Sequence, residues 1–295
     1  MREILLKMIS RQRLDRSSII RINQQMASHL AQIWQWEPFL LPTWDSPISM
    51  DNNLELAGRY FFFGNLLNFG FAAENEHAGP VGDIRFWLRL RSNPQILDIN
   101  NLITFSFEQF EQVFGSFTYP LERVQILRES AQILRRMYNG KVSELYEANH
   151  WNCYEILDAL AKYFPAFQDS PRGIPFSRRA TLALFMTHGR FQESNLFSQL
   201  GALPVGADSQ VFNGLLQLGV LEVESEVLES LQNGLISEEM LLSLRAFTII
   251  ASETLLAEVN HLRKTKIESY HLDYILRMRG TNGRTPVSLG QNRTF

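Results

Sequence analysis

The 295-residue sequence contains a single cysteine, Cys153. One thiol excludes an intramolecular disulfide and a zinc site built from several cysteines. Cys153 lies among apolar residues at helical spacing in the segment HWNCYEILDAL, which favours an inert core thiol over a reactive one. No two of the six histidines stand four residues apart, the spacing that places two metal ligands on one helical face. The sequence therefore predicts no metal site.

The sequence also lacks a charge excess and a long apolar run. Its 28 Lys and Arg residues against 31 Asp and Glu residues give a net charge of −3, which provides no basic footprint for duplex nucleic acid. A small nucleotide needs only a local group of cations. The segment MREILLKMISRQRLDR is too short and too interrupted for a signal peptide, and we find no run of about 18 apolar residues. We therefore expect a cytoplasmic protein without a membrane or duplex nucleic-acid partner.

Generic catalytic motifs are missing as well. The sequence has no Walker A loop, no G-x-G-x-x-G fingerprint, no H-E-x-x-H zinc motif and no G-x-S-x-G nucleophile elbow. Nothing generic therefore indicates a kinase, a dehydrogenase or a serine hydrolase.

Apolar residues recur at helical spacing along most of the chain. The segment PLERVQILRESAQILRRMY begins with a proline suited to a first helical turn. A serine cap followed by periodic apolar residues predicts a helix over SSIIRINQQMASHLAQIW. The longest periodic run is SEEMLLSLRAFTIIASETLLAEVNHL. The fold class predicted by these patterns is mainly α.

One segment favours a strand. Apolar and basic residues alternate in GPVGDIRFWLRLRSNP, and its predicted partner strand is LITFSF. No low-complexity linker divides the sequence, so we predict a single multi-helix domain over residues 1–295. It includes one short β-hairpin and ends in an irregular arm at 280–295, where Gly, Asn and Pro interrupt any periodicity.

The first of three local clusters suited to chemistry is NLLNFGFAAENEH. Asn68, Phe69 and Phe71 offer an amide and aromatic faces to a planar base. The alternative is a helix end whose phenylalanines pack in the core, as aromatic residues at this spacing usually do.

The second cluster is PFSRRATLAL, which places Arg178 and Arg179 in the first turn of a predicted helix. Backbone N–H groups and guanidinium forks at a helix start suit a phosphate monoester. Paired arginines are also common on solvated surfaces, so this alternative stays open.

The third cluster is GALPVGADSQVF, a compact turn followed by Asp208 at the start of an apolar helical run. Aspartate is among the best N-cap residues, a role that stabilises a helix by about 1 kcal/mol. A helix cap and a catalytic carboxylate are therefore the two interpretations of Asp208.

These segments, in this order, resemble the queuosine salvage family, the queuosine 5′-phosphate N-glycosylase/hydrolases. LNFGF followed by ENEH is similar to the family's Asn-Phe-x-Phe segment and its acidic-His continuation. GADSQVFNGLLQLGVL resembles its Ala-Asp segment, and PFSRRATLAL its Lys/Arg-Arg-Ala helix. The resemblance covers most of the chain, and the remaining matched segments are PLERVQILRESAQIL, ALAKYFPAFQD, LRAFTIIASETLL and HLDYIL.

The resemblance implies a fold similar to the helix-hairpin-helix DNA glycosylases, with no metal or organic cofactor. It also implies release of queuine, a 7-deazaguanine base, from the small molecule queuosine 5′-monophosphate. Asp208 matches the family's catalytic aspartate. The positions that match substrate-binding residues are Asn68, Phe69, Phe71, Arg178, Arg179, Asp273 and Tyr274.

The sequence departs from the family pattern around these positions. Ser209 to Asn213 stand where the family has Tyr-Arg-Leu-Pro-Gln, Ala72 replaces a tryptophan, and Asn65 replaces an aspartate. Three hypotheses follow: hydrolysis of queuosine 5′-monophosphate, N-glycosidic hydrolysis of another modified purine nucleotide, or a non-catalytic relative that binds a nucleotide or a protein partner.

Overall fold

The computed structural model describes residues 2–11, 19–39, 44, 53–69, 78–79, 82–191 and 195–281. These residues form fourteen α-helices and four short strands, so the predicted mainly α class is confirmed. The helices are α1 (Arg2–Arg11), α2 (Gln24–Trp34), α3 (Leu54–Leu66), α4 (Ile84–Ser92), α5 (Ile99–Ile103), α6 (Phe107–Phe114), α7 (Pro120–Tyr138), α8 (Val142–Ala148), α9 (Cys153–Tyr163), α10 (Arg178–Arg190), α11 (Ser209–Gln217), α12 (Ser225–Gln232), α13 (Glu238–Leu262) and α14 (Ser269–Thr281). The strands are β1 (Ile20–Ile22), β2 (Ala78–Gly79), β3 (Gly82–Asp83) and β4 (Leu221–Val223).

A short β-hairpin is present, and it overlaps only the start of GPVGDIRFWLRLRSNP, the segment in which we predicted a strand. β2 and β3 pair antiparallel, with Gly79 opposite Gly82. The predicted strand in IRFWLRL is wrong, since this segment forms α4. Its predicted partner LITFSF falls on the end of α5 and the start of α6.

The reason for this error lies in two side-chain patterns that coincide in IRFWLRL. Phe86, Trp87 and Leu90 are buried while Arg85 and Leu88 are exposed, which is the spacing of one helical face. The capping aspartate before the segment accepts a hydrogen bond from the Arg85 N–H at 2.8 Å. This cap favours the helix over the strand.

The helix predicted over the segment SSIIRINQQMASHLAQIW begins later than we predicted. Ile20–Ile22 forms β1, which pairs antiparallel with β4, and Ile20 lies opposite Val223. Asn23 caps α2 by accepting a hydrogen bond from the Met26 N–H at 2.9 Å. A strand partner about 200 residues away leaves no trace in local periodicity, so the sequence pattern could not separate strand from helix here.

Contacts divide the chain into two compact units. The first unit spans Met1–Leu40, Ser170–Arg178 and Gly201–Gln291, and the second spans Leu41–Asp169, Arg179–Leu200 and Asn292–Phe295. The first contains α1, α2 and α11 to α14, and the second contains α3 to α9 and α10 from its second residue onward. One domain over residues 1–295 stays a prediction.

The long helix α13 runs through the core of the first unit. Its Leu244, Leu255 and Val259 side chains belong to an apolar cluster that also includes residues of α2, α11 and α14. By length and composition, α13 is the one helix within the described residues that would suit a membrane span, and 61% of its apolar window is buried in the protein. A core helix carries the same pattern, so this finding is weak support for a membrane segment.

Helices α11 and α14 approach each other at two glycines. A Cβ atom on Gly214 would lie 2.2 Å from the Leu276 carbonyl oxygen, and one on Gly280 would lie 1.9 Å from the Gln210 carbonyl oxygen. Neither position can carry a side chain without moving the partner backbone. This close approach places the side chains of α14 against the start of α11.

Aromatic side chains fill the core of the second unit. Tyr60 on α3 is buried, and its hydroxyl donates a hydrogen bond to the Trp87 carbonyl oxygen at 3.0 Å. Phe62 makes edge contacts with Phe164 and Phe167. Cys153 at the start of α9 is buried, and burial raises the pKa of its thiol to about 12. The core position predicted for this thiol is confirmed.

Candidate active site

Asp208 is the N-cap residue of α11. Its Oδ1 atom accepts hydrogen bonds from the Gln210 N–H at 3.0 Å and from the Val211 N–H at 3.1 Å. The Asp208 backbone is extended, as an N-cap requires, and the residue is 8% exposed. The cap interpretation is therefore confirmed, and the helix fixes one oxygen of the carboxylate.

The second oxygen of Asp208 accepts a hydrogen bond from Arg277 on α14. The distance from Arg277 Nη1 to Asp208 Oδ2 is 2.5 Å. Arg277 also pairs with Asp273 one helical turn earlier, through Nε to Oδ2 at 2.6 Å and Nη2 to Oδ1 at 3.3 Å. All three residues are buried. Two carboxylates therefore share one guanidinium.

Asp273 also fixes the turn that leads into Asp208. The Gly206 N–H donates a hydrogen bond to Asp273 Oδ1 at 2.9 Å. A Cβ atom on Gly206 would lie 2.6 Å from Arg277 Nη2, so the Pro-Val-Gly turn needs glycine at the position that faces the guanidinium. On the other side, Arg245 of α13 donates from Nε to the Ala207 carbonyl oxygen at 3.3 Å. The chain immediately before Asp208 is thus held by two helices.

The two carboxylates differ in acidity. Burial alone would raise the pKa of Asp208. The charges of Arg277 and Arg178, together with hydrogen bonds from Arg277 and Val211, outweigh the effect of burial and lower the pKa of Asp208 below its ordinary value. Burial raises the pKa of Asp273, and the pairing with Arg277 offsets this only in part because the Asp208 charge opposes ionisation. Asp208 is therefore the more acidic carboxylate and is ionised at neutral pH.

Two further predicted site residues lie in the first unit. Arg178 is half-buried at the start of α10, and its Cγ atom lies 3.5 Å from the position that a Cβ on Gly206 would occupy. Its charge contributes to the lowered pKa of Asp208. Tyr274 follows Asp273 on α14 and is half-buried. The structure thus brings Arg178 and Asp273 together with Asp208.

The second unit contains a separate cluster around Phe69. Arg123 on α7 is fully buried, and its guanidinium carbon lies 4.4 Å from the centroid of the Phe69 ring. It donates hydrogen bonds to the carbonyl oxygens of Leu67 and Phe69, and to that of Thr118 at 2.8 Å. Burial lowers the pKa of Arg123 to about 9, with the charges of nearby carboxylates opposing the shift. Arg123 is therefore still a cation at neutral pH and fixes the chain after α3.

Arg179 contacts the same aromatic ring. It is 4% exposed, donates from Nη1 to the Leu66 carbonyl oxygen at 3.0 Å, and places its guanidinium carbon 5.4 Å from the Phe69 centroid. The Tyr119 ring stacks on Phe69 with a centroid distance of 6.4 Å. The alternative of a solvated surface position is wrong for Arg179, because this side chain packs in the interior of the second unit.

The other two predicted residues of this cluster are Asn68 and Phe71. Asn68 is half-buried, and its backbone N–H donates to the Asn65 carbonyl oxygen at 3.2 Å. Phe71 lies outside the described residues. The roles predicted for both residues stay predictions.

Sequence reasoning missed Arg277, Arg123 and Arg245. Each is a charged residue on the buried face of a helix, and a cation among apolar positions at helical spacing was the available signal. Arg123, for example, stands four residues before the buried Leu127 on α7. The carbonyl and carboxylate partners of these cations became visible only in the fold.

No metal site is apparent in the part of the chain that the structure describes. Within it, no group of three or more His, Cys, Asp or Glu side chains is placed to hold a metal ion. The predicted absence of a metal or organic cofactor stays a prediction.

The fold and this site define a mainly α-helical protein with an ionised carboxylate buried at a helix start and held by arginine. The chain belongs to the queuosine salvage protein family, whose sequence profile matches residues 48–288. The family resemblance seen in the sequence is thereby confirmed.

Three relatives share the name queuosine 5′-phosphate N-glycosylase/hydrolase. The relative from Dictyostelium discoideum is 28% identical over 205 residues, which are 66% of this chain and 64% of that protein. The relative from Sphaerobacter thermophilus is 26% identical over 232 residues, 72% of each chain. The relative from Schizosaccharomyces pombe is 29% identical over 178 residues, 56% of this chain and 51% of that protein. The chain thus spans less than two thirds of the length of the first and third relatives.

Proposed function

We propose that this protein hydrolyses the N-glycosidic bond of queuosine 5′-monophosphate, or of a closely related 7-deazaguanine nucleotide, and releases queuine for salvage. Family membership and the names of the three relatives support the reaction class. The observation that carries the proposal is the buried, ionised Asp208 carboxylate fixed at the start of α11. We further propose that the enzyme acts in the cytoplasm on this small molecule, without a membrane or duplex nucleic acid.

The proposed role of Asp208 follows from the charge that develops during the reaction. Breaking an N-glycosidic bond builds positive charge at C1′ of the ribose. A fixed carboxylate in a site of low dielectric stabilises this oxocarbenium-like transition state more than it stabilises the neutral ground state. Asp208 is 8% exposed and ionised at neutral pH, so it requires no reorganisation at the moment of bond cleavage.

The proposed substrate-binding residues supply orientation. A clamp on the 5′-phosphate holds the ribose in position relative to the carboxylate and converts remote binding energy into rate. Arg178, which is half-buried, is better suited to this clamp than Arg179, whose guanidinium is buried beside Leu66 and Phe69. The substrate-binding set that the family resemblance implies is Asn68, Phe69, Phe71, Arg178, Arg179, Asp273 and Tyr274.

The direct test is release of free base. Purified protein is incubated with queuosine 5′-monophosphate, and queuine is quantified by liquid chromatography with mass spectrometry. We expect turnover by the wild type and none by Asp208→Asn, which keeps the N-cap but removes the charge. Asp98→Asn is the matched control because Asp98 caps α5 in the same way but is exposed. Full turnover by Asp208→Asn would overturn the role of Asp208.

A panel of nucleotides tests the substrate. Gln210 and Asn213 belong to the segment that departs from the family pattern, and the Gln210 side chain accepts a hydrogen bond from Arg277 at 3.3 Å. Base release from another modified purine nucleotide, with none from queuosine 5′-monophosphate, would support the second sequence-based hypothesis and contradict the first.

One observation favours a different function. Both oxygens of Asp208 accept hydrogen bonds from the protein, Oδ1 from the α11 backbone and Oδ2 from Arg277. A carboxylate used in this way also suits a purely structural cap in a non-catalytic relative that binds a nucleotide. Isothermal titration with queuosine 5′-monophosphate separates the two: saturable binding without base release would support the non-catalytic relative.

A further inference from the structure

The pairing of Asp208 with a single arginine raises an electrostatic difficulty for the proposed reaction. A carboxylate and a guanidinium in contact form a neutral pair, and a neutral pair stabilises a developing cation poorly. Asp273 alters this balance because it binds the same guanidinium through two hydrogen bonds, with Nε to Oδ2 at 2.6 Å and Nη2 to Oδ1 at 3.3 Å. The guanidinium is then shared between two carboxylates and does not neutralise Asp208 alone.

We propose that Arg277 and Asp273 form a positioning pair: Arg277 fixes the Asp208 carboxylate, and Asp273 holds the Arg277 guanidinium and shares its charge, so that Asp208 is only partly neutralised. This inference rests on the proposed function. It gives Asp273 a role different from the substrate-binding role that the family resemblance implies for its position. It also names Arg277, which no sequence motif pointed to, as the residue through which α14 acts on the catalytic carboxylate.

The packing of α14 supports the proposal. Gly214 and Gly280 let α11 and α14 touch through their backbones, so Arg277 reaches the start of α11 from a fixed helix. Gly206 leaves room for the Arg277 guanidinium and donates its N–H to Asp273. The positioning pair therefore orients both the carboxylate and the turn before it. A bidentate guanidinium restricts orientation more than a point charge does.

The charged groups that face Asp208 determine how the activity is expected to depend on pH. Arg277 and Asp273 face it from α14, and Arg178 from the start of α10. Arg245 from α13 binds the carbonyl oxygen of the preceding residue. Arginines keep their charge over the working pH range. The loss of activity at low pH (the acid limb of the pH profile) is therefore expected to follow the protonation of Asp208 and Asp273.

The kinetic test compares three variants with the wild type. We expect Arg277→Gln to lower kcat by about 10- to 100-fold, the effect of losing one charge-assisted hydrogen bond, and to move the acid limb of the pH profile to higher pH. Arg277→Lys keeps the positive charge but loses the planar set of guanidinium donors. Compared with Arg277→Gln, it is expected to restore the position of the acid limb but only part of kcat. Asp273→Asn is expected to lower kcat with little change in KM. The control is Arg279→Gln on the exposed side of α14.

Two outcomes would overturn the proposal. An Arg277→Gln enzyme with wild-type kcat and an unmoved acid limb would contradict positioning by Arg277. An Asp273→Asn enzyme with unchanged kcat and a raised KM would instead assign Asp273 to substrate binding. Intact folding is checked for each variant by its thermal unfolding midpoint and circular dichroism spectrum.

A measurement that needs no activity separates this proposal from the proposed function. The pKa of the Asp208 carboxylate is followed by carbon-detected NMR titration in the wild type and in Arg277→Lys and Arg277→Gln. A raised pKa in Arg277→Gln supports control of Asp208 by Arg277 even if no nucleotide is hydrolysed, in which case the proposed function alone fails. An unchanged pKa contradicts the proposal even if the enzyme is active.

Discussion

Arg277 binds Asp208 through a 2.5 Å hydrogen bond from Nη1 to Oδ2, although the two residues are 69 positions apart in the sequence. Both are buried, so this ion pair has lost most of its hydration. Breaking a buried pair by removing one partner leaves an uncompensated charge in the interior. The stability of the first unit and the ionisation of the proposed catalytic carboxylate therefore depend on the same contact.

The first prediction is that removing Arg277 destabilises the fold more than removing Asp208 does. Arg277→Met leaves two buried carboxylates without their cation and is expected to lower the free energy of unfolding by about 3–5 kcal/mol. Asp208→Ala leaves the neutral Arg277–Asp273 pair intact and removes one N-cap, so about 1 kcal/mol is expected. Urea denaturation followed by circular dichroism measures both, with Arg279→Met as the exposed control. Equal losses for the two variants would contradict the shared guanidinium.

The second prediction is a pH dependence of stability. The folded-state pKa of Asp208 is lowered relative to its value of about 3.9 in an unfolded chain, so the ionised form stabilises the fold above that pH. This contribution is lost as pH falls through the folded-state pKa. The stability difference between wild type and Asp208→Asn is therefore expected to shrink below about pH 4. A difference that grows on acidification would contradict the sign of the shift.

The contribution of Asp273 to the pH dependence of stability has the opposite sign to that of Asp208. Burial raises the pKa of Asp273 in the folded state, so its ionisation opposes folding above the unfolded-state pKa. We expect Asp273→Asn to lose less stability near neutral pH than Arg277→Met does. Denaturation of the two variants in parallel at neutral pH provides the comparison.

The third prediction tests the contact between α11 and α14. Gly214→Ala places a Cβ atom 2.2 Å from the Leu276 carbonyl oxygen, so the helices must separate, at an expected cost of about 1–3 kcal/mol. Gly58→Ala on α3 is the matched control because its Cβ would meet Val142 at 3.4 Å, an ordinary contact. A neutral or slightly stabilising effect is expected there. Similar thermal midpoints for the two variants would argue against backbone contact between α11 and α14.

The fourth prediction concerns Arg123. Its guanidinium binds three carbonyl oxygens in the second unit, and a lysine ammonium cannot reproduce this planar set of donors. Arg123→Lys is expected to lower the free energy of unfolding by about 2–4 kcal/mol because buried carbonyl groups lose their partners. Arg128→Lys, on the exposed face of the same helix, is expected to change it by less than about 0.5 kcal/mol. Equal urea midpoints for the two variants would show that a lysine ammonium can replace the Arg123 guanidinium.

The fifth prediction concerns the 5′-phosphate and follows from the proposed function. Arg178→Ala is expected to raise KM for queuosine 5′-monophosphate by about 10-fold or more, the loss of one charge-assisted phosphate contact. The unphosphorylated nucleoside has no such contact to lose, so its KM is expected to change little. Arg172→Ala, an exposed arginine shortly before α10, is the control. Equal effects of Arg178→Ala on both substrates would remove Arg178 from the phosphate clamp.

Local chemistry made much of the helical architecture predictable from the sequence. The segment PLERVQILRESAQILRRMY forms α7 from its first residue to its last, because a helix-starting proline and apolar spacing act over a few residues. The N-cap role of Asp208 is equally local, since its hydrogen-bond donors lie two and three residues away. The segment IRFWLRL is the counterexample, because its apolar pattern fits both periods and the cap decided between them.

The family and the helical class, together with the N-cap position of Asp208, were determined by the sequence alone, because they depend on short-range patterns and on the order of motifs. The tertiary structure alone decided the partners of the buried charges. Arg277 reaches Asp208 only because Gly214 and Gly280 bring two helices into contact. Such pairs form between residues far apart in the chain, where folding must satisfy each buried charge with whatever group the packing provides.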